Sequence, residues 1–314
     1  MDPAYSVILF TSSSGAGYGL IAWLAFTRLS GMWQLSPMAA VVACLVALAL
    51  ITTGLLSSTF HLGHPERAWR AISQWRSSWL SREGVFAIVT YPAALVFTAG
   101  WVWTAIPQNI MNLAAAATLA LSLITVISTG MIYASLKTIP RWNNHWVVPV
   151  YVALSIASGG LLFTIALAVS GAANQPTLIL MVAVLLLSWS TKWAYWRFID
   201  RQKPVSTPGT ATGLGHLGKV NQLESPHTSE NYLLKEMGFT VARKHATRLR
   251  RMALNFGLLL PGIFLVLAGV SDGMAQLVLL AIGMGLGLTG IVVERWLFFA
   301  EARHAVTLFY GRSL

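Results

Sequence analysis

Apolar residues fill this chain in blocks of about 20, the length a helix needs to cross roughly 30 Å of hydrocarbon. Short polar gaps separate the blocks. The runs 38–56 and 277–293 are apolar or small-residue on every face, whereas a membrane-spanning strand would alternate polar and apolar positions. A helix satisfies its backbone hydrogen bonds internally, so the pattern predicts an all-α, polytopic integral membrane bundle. Eight transmembrane helices are expected, at about 5–27, 37–59, 84–106, 112–136, 147–170, 176–197, 253–271 and 274–299. The chain is then a single membrane domain, 1–314.

Connections 107–111, 171–175 and 269–274 are short enough to force antiparallel hairpins, with Asp272 and Gly273 as turn residues in the last. An even number of spans puts both termini on one side, together with the longer connections 60–83, 137–146 and 198–252. On this assignment 20 of the 21 Lys and Arg lie on or near that side, and only Arg28 lies opposite. Membrane proteins keep such charge inside, so both termini are expected in the cytoplasm. The first 15 residues lack the basic start of a secretory signal, and the first span is expected to be retained.

With 56% hydrophobic and 10% charged residues, the composition excludes an ordinary soluble domain. The net charge of +11 raises nucleic acid as a partner. No helix-turn-helix, zinc-finger or aromatic recognition motif accompanies the charge, so membrane lipids are expected instead and nucleic acid is not. Cys44, the single cysteine, can form neither an internal disulfide nor an iron-sulfur ligand set. All seven histidines, His61, His64, His145, His216, His227, His245 and His304, fall on the side of the termini. A buried haem needs axial ligands at suitable depth, so no haem is expected.

Polar chemistry concentrates between Ser58 and Gly84, in STFHLGHPERAWRAISQWRSSWLSREG. His61 and His64 are three residues apart and share a face if the second span runs through them. Pro65 can instead begin an interfacial helix with Glu66 in its first turn. An imidazole at the bilayer edge can hydrogen-bond a quinone oxygen or exchange a proton with it, or simply anchor the interface. Glu83 lies just inside the third span, with Ser81 as a possible cap; it can relay a proton or pair with Arg82 or Arg67. Arg67, Arg70, Arg76 and Arg82 can orient a headgroup, dock a partner or only fix orientation. Trp69, Trp75 and Trp79 have the composition of an interfacial belt, from which Trp69 can line a quinone pocket. Deeper, Lys192 can snorkel toward Arg197, while Glu294 needs Arg295 or Lys192 as a partner, in an ion pair or a proton route.

Residues 198–252 are too poor in apolar residues for an independent core and read as an arm that orders against a partner. Two function classes follow. A quinone-reactive anchor needs polar chemistry at one edge only, as here. A transporter or channel calls for mid-membrane charge or broken helices, which most of these spans lack.

At STFHLGHPERAW and SSWLSREG, and in the Arg-rich approach ATRLRRMAL to the seventh span, the chain resembles the membrane-anchor subunits of dimethyl-sulfoxide-reductase type. The resemblance extends over essentially the full length. It implies a bacterial inner-membrane anchor in a three-part oxidoreductase, bound directly to a four-cluster iron-sulfur subunit and through it to a molybdopterin catalytic subunit. Such an anchor carries the quinone half-reaction, with ubiquinone or menaquinone, and holds no metal; molybdopterin and iron-sulfur clusters belong to the partners. The family's quinone-site histidine, arginine and glutamate correspond to His61, Arg67 and Glu83. On that basis His61 and Glu83 are the expected proton-handling pair, with Arg67 at the headgroup; the residues' own chemistry adds Trp69 and Arg82 to the headgroup-facing set and His64, Lys192 and Glu294 as an outlying proton route. The inward orientation of the His61 connection makes the chain look more like anchors of cytoplasmic sulfite dehydrogenases than like those of exported enzymes that oxidise menaquinol to reduce dimethyl sulfoxide.

Overall fold

The computed structural model describes residues 3–60, 64–202, 206–221, 223–224 and 245–310. Among these residues, eight helices are long and apolar enough to cross a membrane. They are α1 (Tyr5–Ser30), α2 (Pro37–Thr59), α3 (Trp79–Ala99), α4 (Gln108–Ala134), α5 (Val147–Val169), α6 (Gln175–Arg201), α7 (Ala246–Ala268) and α8 (Gly273–Ala300). No strand occurs among the described residues, so the protein is an all-helical, multi-pass membrane bundle.

Local chemistry fixes the helix ends. Ser36 accepts the Ala39 amide at 3.3 Å to start α2, and Asn174 accepts the Thr177 amide at 3.1 Å to start α6; a proline follows each cap in the first turn. For α3 the cap is Ser78, which accepts the Ser81 amide at 3.4 Å. The expected cap, Ser81, is therefore inside the helix, and α3 runs 79–99 rather than 84–106. That shift buries Glu83 a full turn deep. Basic ATRLRR is also helical, so α7 begins at Ala246 rather than near 253. A widened turn over Asn255–Leu259 interrupts α7, a form common where helices adjust to a close neighbour.

Helix α1 is the hub, packing on α2, α4, α5 and α8. It meets α5 backbone to backbone: a Cβ placed on Gly19 would lie 1.9 Å from the Ser155 carbonyl oxygen. Ser155 Oγ donates to the Gly15 carbonyl at 2.6 Å across the same contact. Small residues allow such approaches in lipid, where association relies on packing and interhelical hydrogen bonds. The second close contact lies between α7 and α8, where a Cβ on Gly290 would sit 2.2 Å from the Gly257 amide. Helices α2 and α3 lean on α1 and α4 respectively and touch each other only lightly, partly through a 2.7 Å hydrogen bond between Thr52 and Tyr91.

Candidate functional site

Both described ends of the chain and the described parts of the α2–α3 connection and the α6–α7 arm lie at one end of the bundle, the terminal face. The α2–α3 connection contains a tightly wound 3-10 segment, Pro65–Gln74, with Glu66 in its first turn. Its described side chains are largely exposed. His64 Nδ1 lies 3.0 Å from Glu66, and Arg67 Nε lies 3.6 Å from the same carboxylate. Trp69 and Trp75 are exposed with Arg70 and Arg76 beside their rings, an arrangement suited to a bilayer interface. Arg82 stacks over Trp79 at 4.2 Å and donates to the carbonyls of Trp75 and Arg76 at 3.0 and 2.7 Å. His61 lies outside the described residues.

Glu83 is placed differently. It is 4% exposed, and Thr129 of α4 donates a hydrogen bond to it. Glu83 forms no ion pair among the described residues; neither Arg82 nor Arg67 neutralises it. Tyr18 of α1, Tyr133 of α4 and Tyr151 of α5 are its ionisable neighbours. A carboxyl buried beside hydroxyls is placed to exchange a proton with a bound partner.

Further into the bundle, Glu294 of α8 pairs with both Lys192 of α6 and Arg295 of α8, and all three are at most 2% exposed. Lys192 therefore does not snorkel. Its ammonium lies 4.1 Å from the Tyr195 ring centre, and the Arg295 guanidinium lies 4.2 Å above Tyr151. Closer to the terminal face, Glu301 binds Arg250 at 2.8 and 2.9 Å and Arg141 at 3.3 Å. Arg250 also forks onto Asp200, at 2.6 and 3.1 Å. This outer cluster joins the α4–α5 connection, the end of α6, the start of α7 and the end of α8.

A family described as DMSO reductase anchor subunit (DmsC) matches residues 1–312. The chain belongs to the DMSO reductase anchor subunit family. This anchor is 33% identical over 330 aligned positions to a sulfite dehydrogenase subunit of Allochromatium vinosum, and the alignment covers 99% of both proteins. It is 25% identical over 171 positions to a component of the anaerobic dimethyl sulfoxide reductase of Escherichia coli, across 53% of this anchor and 58% of that relative.

Of the residues singled out from the anchor's sequence, the fold unites Lys192 with Glu294 and leaves Arg67, Trp69 and Arg82 at the rim, apart from Glu83. Among the described residues no three His, Cys, Asp or Glu gather as metal ligands would. Sequence reasoning missed Thr129, Tyr18 and Tyr151. Their signal was present as polar residues every three or four positions in three apolar spans. These are Thr11, Ser14 and Tyr18; Thr118, Ser122, Thr125 and Thr129; and Tyr151, Ser155 and Ser158. Each set forms one helical stripe.

Proposed function

We propose that this anchor carries the quinone half-reaction of a three-subunit molybdopterin oxidoreductase, in which sulfite oxidation supplies electrons through a four-cluster iron-sulfur subunit. Ubiquinone or menaquinone is the membrane carrier. The observation that carries the reading is Glu83, a buried carboxyl without a described ion pair, one turn inside α3 and on the face that holds the His61 connection. Full-length similarity to a sulfite dehydrogenase subunit supports the choice of substrate for the partner enzyme.

The donor set fits a quinone headgroup. Glu83 and Thr129 offer a proton-exchanging group and a hydroxyl, while α2 and α3 touch each other only lightly. A quinone supplies two-electron, two-proton chemistry when bound. His61 donates a hydrogen bond or proton to the headgroup, and Glu83 exchanges protons with it from the buried side. Arg67 and Arg82, with Trp69, steady charge and position at the interface. The iron-sulfur subunit docks on the terminal face, against the 3-10 segment and the 198–252 arm. The distribution of Lys and Arg supports a cytoplasmic placement of that face.

The test is His61→Ala in the complex purified with its partners. Quinone-linked turnover should fall at least about a hundredfold, the usual scale for a proton-transfer group, while assembly and sulfite oxidation with an artificial dye persist. Unchanged quinone kinetics remove His61 from the site. Sulfite-independent dye reduction, or activity only with a sulfoxide, removes the assignment to sulfite.

A further inference from the structure

Ser12 and Tyr18 of α1, Thr129 of α4, Tyr151 of α5 and Arg295 of α8 all line one cavity of about 20 Å³. That volume accommodates a single water and is far too small for a quinone headgroup. The hydroxyls of Ser12, Tyr18 and Tyr151 and Nη2 of Arg295 are buried without a well-formed hydrogen bond among the described residues. Tyr18, Tyr151 and Arg295 are respectively 3%, 5% and 2% exposed. Buried polar atoms need partners, and one water can serve two to four of them at once.

Arg295 is the charged residue of the cavity wall, and it also belongs to the deeper triad. In the outer cluster Arg141 and Arg250 pair with Asp200 and Glu301. In the deeper triad Lys192 and Arg295 share the single carboxylate of Glu294, leaving one positive charge in excess. Glu83 is the deep carboxyl that lacks an ion pair among the described residues, and its hydrogen-bond donor Thr129 shares the cavity wall with Arg295. The titratable groups facing Glu83 from neighbouring helices are Tyr18, Tyr133 and Tyr151, none of which carries positive charge. On its own helix, Arg82 is turned to the Trp75 and Arg76 carbonyls.

We infer that this cavity is an ordered-water site joining the Glu83–Thr129 pair to Arg295, and that the excess cation of the Lys192–Glu294–Arg295 triad favours the ionised form of Glu83. Arg295 anchors the water and keeps its proton, since a guanidinium stays charged in proteins. Lys192 supplies the charge that Glu294 leaves over. With Glu83 ionised the four buried groups sum to zero, so a proton arriving on Glu83 leaves the interior one charge positive and is readily released again. Tyr18 and Tyr151 are positioning residues for the water. The use of this device in quinone chemistry rests on the reading of Glu83 given above; the water and the charge coupling do not.

Infrared spectroscopy of the purified complex tests the coupling, reading the protonated-carboxyl band of Glu83 identified by its loss in Glu83→Gln. At neutral pH the band should grow severalfold in Lys192→Met and return to the wild-type level in Lys192→Arg. Ser12→Val fills the cavity without touching the triad. It should alter the same band, and should remove density between Thr129 and Arg295 that a high-resolution map of the wild type contains. Equal bands in wild type and Lys192→Met overturn the coupling. A wild-type map without that density overturns the water, and Ser12→Val keeps the test decisive if Lys192→Met fails to assemble. Unchanged quinone turnover in Glu83→Gln would instead defeat the quinone-site reading and leave the infrared result standing.

Discussion

Glu83→Gln isolates proton exchange from structure. Glutamine keeps the shape of the side chain and an oxygen to accept from Thr129. The new amide donor has no assured partner, which costs about 1–2 kcal/mol, but a carboxyl no longer has to be kept in a water-poor site. These effects offset, but the glutamine no longer balances the excess cation of the Lys192–Glu294–Arg295 triad, so stability should fall by up to about 3 kcal/mol. The functional effect is separate and is read as a rate. A positioned acid or base contributes about 10²- to 10⁴-fold, equivalent to about 3–5 kcal/mol in the barrier. Quinone-linked kcat should therefore drop by that factor with little change in KM, and its pH dependence should flatten because the titrating group is gone. Dye-linked oxidation by the partner subunits should be unaffected. The assay is steady-state quinone reduction in proteoliposomes across the pH range in which wild type titrates. A variant whose pH profile superimposes on wild type would refute proton exchange at Glu83, whatever its absolute rate.

Two further substitutions probe the frame that holds the site. Gly19→Leu drives a side chain into the α5 backbone and should cost more than the about 1–3 kcal/mol of ordinary overpacking. Reduced protein levels in membranes should follow, whereas Gly285→Ala, whose added Cβ meets nothing within 4 Å, should accumulate normally. Equal levels would show that the α1–α5 crossing is not tight. Glu301→Gln strips Arg141 of its carboxylate while Arg250 keeps Asp200. Stability should fall by about 3 kcal/mol, read as earlier loss of helical circular dichroism on heating in detergent; an unmoved transition would mean the cluster is merely superficial.

The spans were legible because hydrophobic length is a one-dimensional property. All eight were found, and the errors fell at ends, where capping decides. The pattern could not distinguish Ser78 from Ser81 as the cap of α3, since both precede the apolar run, and the choice moved Glu83 from the mouth of a helix to its interior. The partnership of Lys192 with Glu294 was also available, because a charge deep in lipid demands an opposite charge nearby. The cavity was harder to foresee. Its wall is drawn from four helices, and single Ser or Thr residues in membrane spans usually satisfy themselves on their own backbone, as Ser14 does with the Phe10 carbonyl at 2.6 Å.

The fork of Arg250 onto Asp200 and Glu301 has a mechanical consequence. Asp200 is the penultimate residue of α6 and Arg250 lies in the first turns of α7, so the long arm leaves and re-enters the bundle through a single charged clasp. Tension applied along the arm ends at that clasp and is shared by three helix termini instead of being levered onto one. Loop swaps that respect Asp200 and Arg250 should therefore leave the membrane bundle in register.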